Sequence, residues 1–293
     1  MWHVTSPSYL STLSDKDLKE AMRRHIYTTV GHFRGRIFDW DVVNESLAPD
    51  GSLARNLFYE RFGSDYVDWC FFWAREAGGD DVNLIYNDNK VEGCGMKTTN
   101  HSRKADAFYY LVKGMCERGV PIDGVGMQAH FDCGGVGIRK CPSPKAISDQ
   151  IQRFKELNLS VNLSEMDVRI ANLKLPQGSS ADLSKKIQRQ VFERTLSACW
   201  QHENFTGVWF WGVNDASSWC HEFYKPDEPL LIDDNFKEKF GILSKLRGGS
   251  ENEIEFEGEF GVVDGFRWWA DEDEEEDGSK VDAINTDRPD WEI

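Results

Sequence analysis

Glu45 and Glu165 each stand at the end of an apolar run, the first after Phe-Asp-Trp-Asp-Val-Val-Asn and the second after Ser-Val-Asn-Leu-Ser. A single glutamate at a strand end is more often solvated or ion-paired than reactive. Two of them on two strands of one barrel, with few cations nearby in sequence, suit a different task. One carboxylic acid protonates a leaving oxygen while the other supports an oxocarbenium-like centre, which is the chemistry of glycoside hydrolysis. Other strand ends are polar as well: His3, Asn44, Asn87-Asp88, Gln128, His130, Asp167 and Trp211. Buried strands are apolar for packing reasons, so polar groups gathered at one end of strand after strand call for a site.

The elements that must position these residues follow from hydrophobic periodicity. Ser14 with Asp17 three residues on predicts an N-cap, and Leu18, Ala21, Met22, Ile26 and Val30 follow at helical spacing. A short apolar run holding Ile37, Phe38, Val42 and Val43 then precedes a helical face of Val67, Cys70, Phe71 and Ala74. The alternation recurs with 82–87 before Phe108, Leu111, Val112 and Met115, with 124–128 before Ile147, Ile151 and Phe154, with 161–165 before Leu183, Ile187, Val191 and Leu196, and with 207–213 before a helical segment around 240–246. Strands of about six residues alternating with helices imply right-handed crossovers and a parallel sheet. The chain contains no GxGxxG or GxxxxGK[ST] turn, so a closed (β/α) barrel fits better than an open doubly wound sheet.

Composition narrows the classes. With 34 basic against 50 acidic residues and a net charge of −16, nucleic acid is not the expected partner, and no apolar run is long enough to span a membrane as a helix. The excess is local: residues 248–293 hold 17 Asp/Glu and only three basic residues, predicting an acidic tail or linker behind a boundary at Gly248-Gly249 and a catalytic unit over 1–247. Seven scattered cysteines without CxxC or His/Cys spacing give no metal site, and no cofactor is expected. Cys133 and Cys141 flank a Gly-rich loop and are spaced for a short disulfide, although an odd total leaves a thiol over. The start, Met1-Trp2-His3-Val4, lacks the basic and apolar regions of a signal peptide.

Four segments in order carry a resemblance: WDVVNE (40–45), GVGMQAH (124–130), SEMDV (164–168) and WGVNDASSW (211–219). They resemble the signatures of family 10 glycoside hydrolases, the endo-1,4-β-xylanases, as do Trp2-His3 before Pro7 and the segment 229–233. The resemblance implies a TIM barrel of eight units, here N-terminally incomplete with about six, the first two lacking. It implies Glu45 as acid/base and Glu165 as nucleophile of a retaining double displacement. Asn44 is then expected on the 2-hydroxyl of the sugar at the cleavage point, with His3 and Gln128 on that sugar or the nucleophile. His130 and Asp167 would orient and charge the nucleophile, and Trp211 and Trp219 would wall the cleft. The implied partner is β-1,4-xylan or its oligosaccharides, with no nucleic acid, no membrane, a monomeric enzyme and an extracellular setting. Val4-Thr5 and Tyr9 replace the family's usual Ser-Gln and Trp, and Asn89-Lys90 replace a Tyr-Asn pair. These departures leave cellulose or mixed-linkage glucan, or binding without turnover, as alternatives.

Overall fold

Ser14 starts the first helix as the sequence predicts: its hydroxyl oxygen accepts from the Asp17 N–H at 3.2 Å, and α1 runs Asp15–His32 with Leu18, Met22, Ile26 and Val30 buried along one stripe. The structure is a computed structural model that describes residues 1–94, 100–134, 141–175, 177–180, 182–224 and 226–248. The acidic segment predicted beyond Gly248 lies outside the described residues.

Five further strand/helix alternations follow. Strand β1 (Asp39–Asn44) leads to α2 (Leu57–Phe62) and α3 (Asp65–Gly78), and β2 (Asn83–Asp88) leads to α4 (Asn100–Glu117). Strands β3 (Gly124–Met127) and β4 (His130–Asp132) precede α5 (Pro144–Lys155); β5 (Ser160–Arg169) precedes α6 (Leu183–Trp200). Last come β6 (Phe205–Phe210), the short α7 (Cys220–Phe223) and α8 (Ile242–Gly248). All strand pairs are parallel, in the order β1-β2-β3-β5-β6, with β4 also on β5. This is the incomplete α/β barrel expected.

Three details differ from the expectation. The strand around 124–130 is broken: β3 pairs with Ser160–Leu163, β4 with Asp167–Arg169, and the register slips by one residue between them. The break falls at Ala129, whose φ of 59° is left-handed and ends a ladder. The first unit contributes no full strand, only a parallel bridge between Trp2 and Asn44. Because that bridge meets β1 at its far end, Ile37 and Phe38 at the near end are left 37% and 50% exposed rather than buried as the apolar run suggested. At the opposite border β6 pairs only with β5 among the described residues, and Trp209 is half exposed.

Between the sheet and its outer helices, aromatic rings form a continuous seam. Phe71 of α3 meets Tyr86 of β2, Tyr86 meets Phe108 of α4, and Phe108 meets Phe154 of α5, with centroid distances of 6.1, 5.1 and 5.8 Å. Such tilted and edge-on pairs add to the apolar area they bury. Phe108 sits mid-seam and is fully buried. Phe108→Ala is therefore expected to cost about 3–5 kcal/mol through lost transfer energy and an unfilled cavity, read from the urea midpoint against the parent chain.

Candidate active site

The polar residues converge because the strand ends are locked to one another in the backbone. Beyond the regular ladders, the Glu45 N–H donates to the Asn87 carbonyl at 3.0 Å, Gln128 N–H to the Asp88 carbonyl at 3.1 Å and Glu165 N–H to the Gln128 carbonyl at 3.2 Å. Just past β1, β2 and β3, Glu45, Lys90 and Ala129 take φ values of 55°, 56° and 59°. Non-glycine residues held in that region cost on the order of 1–3 kcal/mol and concentrate at functional sites. Here they turn the chain out of each strand at the same level.

Side chains complete the arrangement through one amide network. Asn87 donates from Nδ2 to Glu165 Oε1 at 2.8 Å and to Asn44 Oδ1 at 3.0 Å, and its own Oδ1 accepts from the Ser164 hydroxyl at 2.6 Å. Gln128 donates from Nε2 to Asn44 Oδ1 at 3.2 Å and to Glu45 Oε1 at 2.8 Å. The two glutamates are thus joined through Gln128, Asn44 and Asn87. The second oxygen of Glu45 accepts from the Trp2 indole N–H at 2.5 Å. Behind this layer Asp88 is fully buried; burial raises its carboxyl pKa, and the Lys104 ammonium at 2.8 Å opposes the shift. Asp88 also accepts from the Leu47 and Asn89 N–H groups, so a buried ion pair, which needs such extra bonds to be tolerated, anchors the loops after β1 and β2.

On the other side of Glu165 stands His130. Its Nδ1 is 2.9 Å from Asp167 Oδ2 and its Nε2 is 3.4 Å from Glu165 Oε2. Burial works against a charged imidazole here, but the Asp167 and Glu165 carboxylates outweigh it and raise His130 from the ordinary 6.5 to about 10. The ring is accordingly an imidazolium at neutral pH, bonded to both acids. Asp167 also accepts from the Trp219 indole N–H at 2.7 Å, and the Trp219 ring packs on His130 at 5.1 Å.

These residues line a cleft of about 420 Å³ that contains Asn44, Glu45, Gln128, His130, Glu165, Trp211 and Trp219. Asp167 lies beneath it, fully buried. Of the residues singled out in the sequence, His3 alone stands aside. It lines a smaller side pocket of about 180 Å³ that shares Glu45 and Asn89 with the cleft, and burial lowers its pKa despite the nearby Glu45 charge. Trp2 occupies the cleft wall instead, its backbone bridged to Asn44 and its indole N–H on Glu45. Sequence reasoning passed over Trp2, Arg169 and Tyr224 as site residues, although all three line the cleft. The Arg169 guanidinium lies 3.5 Å over the Tyr224 ring and within 3.8 Å of Asp132 and 3.6 Å of Asp227. Asn87 was legible only as a strand-end polar residue. Among the described residues no group of three or more His, Cys, Asp or Glu side chains could hold a metal ion, and no helix is long and apolar enough to cross a membrane.

Parallel strands that present two carboxylates, an imidazole and tryptophans in a cleft at their C-terminal ends define the class of barrel glycosidases. Residues 1–243 match the model of Glycosyl hydrolase family 10, and the chain belongs to that family. It is 32% identical over 242 residues to endo-1,4-β-xylanase B of Thermotoga neapolitana, covering 82% of this chain and 64% of that protein. Against a β-1,4-xylanase of Dictyoglomus thermophilum it is 31% identical, over 82% of this chain and 66% of the relative. Its fold superposes on the crystal structure of xylanase 10B from Thermotoga petrophila in complex with xylobiose with a TM-score of 0.71 at 31% identity, covering 82% and 68% of the two chains. The chain thus spans about two thirds of the length of these relatives.

Two outcomes follow from the geometry. A Cβ on Gly126 would lie 2.4 Å from Asn87 Oδ1, so Gly126→Ala is expected to displace Asn87 from Glu165 and to cost about 1–3 kcal/mol as overpacking; a urea midpoint and a crystal structure of the variant check both. Because folding raises the pKa of His130, its charge stabilises the folded chain fully below pH 6.5, and that contribution is lost as pH rises towards about 10. The stability difference between the parent and His130→Asn is therefore expected to shrink steadily across that window in urea titrations at successive pH values.

Proposed function

We propose that this chain is a retaining, endo-acting hydrolase of β-1,4-xylan. The observation that carries the reading is the unlike setting of the two glutamates on one amide network. Glu165 faces the His130 imidazolium, whereas Glu45 is held by the neutral N–H groups of Trp2 and Gln128. Two carboxyl groups in differing surroundings are what an acid and a nucleophile require. The xylanase names of the relatives and the xylobiose in one similar structure support xylan as the substrate class.

In this reading Glu165 attacks the anomeric carbon while Glu45 gives its proton to the glycosidic oxygen. A glycosyl ester forms and the leaving sugar departs as an alcohol. Glu45, now a carboxylate, takes a proton from a water whose oxygen attacks the same carbon, so the ester breaks, the sugar leaves with its original configuration and both glutamates return to their starting states. Asn44 has its side-chain carbonyl engaged by two amide donors, which leaves its NH₂ to donate to a sugar hydroxyl. Trp211, half exposed on the cleft wall, offers a flat apolar face for a pyranose ring.

Reducing-sugar release from soluble xylan tests this directly. Glu45→Gln and Glu165→Gln are each expected to lower the rate at least about 100-fold without altering the folded state, with circular dichroism as the check. Azide should restore turnover in Glu45→Ala by replacing the water that Glu45 would activate, and it should yield a β-glycosyl azide. A folded chain that binds xylooligosaccharide but releases no reducing ends would overturn the assignment in favour of binding alone. Faster release from cellulose or mixed-linkage glucan would overturn the substrate.

A further inference from the structure

Cys133 and Cys141 are eight positions apart in the chain, and the fold brings their side chains together. Both are free thiols, they are only 5% and 1% exposed, and they are hydrogen-bonded to each other. Each sits on a fixed part of the structure. The Cys133 N–H donates to the Arg169 carbonyl at 3.0 Å, extending the β4–β5 ladder, and the next N–H, of Gly134, donates to Asp132 at 3.0 Å. Cys141 stands two residues before Ser143, which caps α5, and the intervening Pro142 packs closely on Gly93. The two thiols are thus within hydrogen-bonding reach of each other while each sits on a separately anchored segment, and such proximity is the first requirement for a bridge.

We propose that Cys133 and Cys141 form a redox-modification site, oxidised to an intrachain disulfide by exchange with a small-molecule disulfide such as oxidised glutathione. One cysteine thiolate attacks a glutathione sulfur, breaking its S–S bond and releasing one glutathione thiol. The second cysteine thiolate then attacks the protein sulfur of that mixed disulfide and releases the other. Two protein thiols are oxidised, one glutathione disulfide is reduced, and the two protons end on the released thiols. The folded pair reacts slowly, since the Cys141 hydrogen bond and then burial hold the Cys133 thiol well above its ordinary value; the same burial shields the bridge once made. The bridge would join β4, which carries His130 and Asp132, to the start of α5, clamping the rim of the cleft where Asp132 and Arg169 lie.

The test is made on the full 293-residue chain, refolded in glutathione redox buffer, denatured, alkylated and mapped by mass spectrometry. A linked peptide joining Cys133 to Cys141, two hydrogens lighter than its reduced parts, with the other cysteines alkylated, is the expected result. Alkylation of both, or a link from either to another cysteine, would overturn the proposal. The oxidised chain should also melt about 5 °C above the reduced one, as a short closed loop implies, and this difference should vanish in Cys133→Ser. An equal difference persisting in Cys133→Ser would assign the effect to another pair and reject this one.

Discussion

One buried carboxamide sets the geometry of the site. Asn87 is 1% exposed and engages both ends of its amide: its NH₂ serves Asn44 and Glu165, and its oxygen receives Ser164. In a dry environment each of these bonds is worth keeping less for its own net energy than for the desolvation that an orphaned partner would incur. Strands β1, β2 and β5 are thus fastened at the level of the two glutamates by a single side chain. Space for it comes from the neighbouring strand, where Gly126 lies against the Asn87 oxygen and any larger residue would occupy its place. The glycine is required here by a close approach, not by an unusual backbone angle.

Charge around the cleft is arranged in closed groups. His130 stands between Glu165 and Asp167, Lys104 on Asp88, Lys239 on Asp215 at 2.9 Å, and Arg169 between Asp132 and Asp227. Each of these acids has a cation close by, as the cost of burying an isolated charge demands. Glu45 differs, since the side chains that hydrogen-bond it, Trp2 and Gln128, are neutral N–H donors. That asymmetry distinguishes the two glutamates physically, although sequence alone makes them look equivalent at the ends of similar apolar runs.

Much of this was readable in the residues. Helix α1 begins at Ser14 because a hydroxyl with an aspartate three positions on is a local device that acts through adjacent atoms, and the apolar stripes of α3 to α6 follow from burial with a period of 3.6. The glutamates, His130, Asp167, Gln128 and Trp211 were legible because the strand ends mark them out, and Trp219 only through the resemblance of the segment 211–219. Periodicity could not reveal the break at Ala129, where an ordinary residue takes a left-handed conformation imposed by tertiary contacts. Nor could it tell Trp2 from His3. Which of two consecutive residues faces the cleft depends on register against β1, and that register is fixed by a single bridge to Asn44. Arg169 and Tyr224 meet across 55 residues of chain, a separation that leaves no local signal.

The placement of the site relative to the borders of the wall has a consequence for how the fold bears its strain. Asn44, Glu45, Asn87, Gln128, His130, Glu165 and Asp167 lie on β1 to β5 or immediately beyond them, and β2, β3 and β5 are each paired on both sides. Glu165, on β5, therefore rests on the best-supported part of the sheet, whereas Glu45 follows β1, a border strand met on its outer side by one bridge from Trp2. Two partly exposed indoles of the cleft wall lie further out: Trp2 beside β1 through one bridge, and Trp211 just past β6, which pairs only with β5 among the described residues. Positioning of Glu165 thus depends on interior strands and Asn87, whereas Glu45 and the outer cleft walls depend on strands with fewer neighbours. Perturbation at the β1 border would reach Glu45, which the Trp2 indole N–H holds, before it reached Glu165.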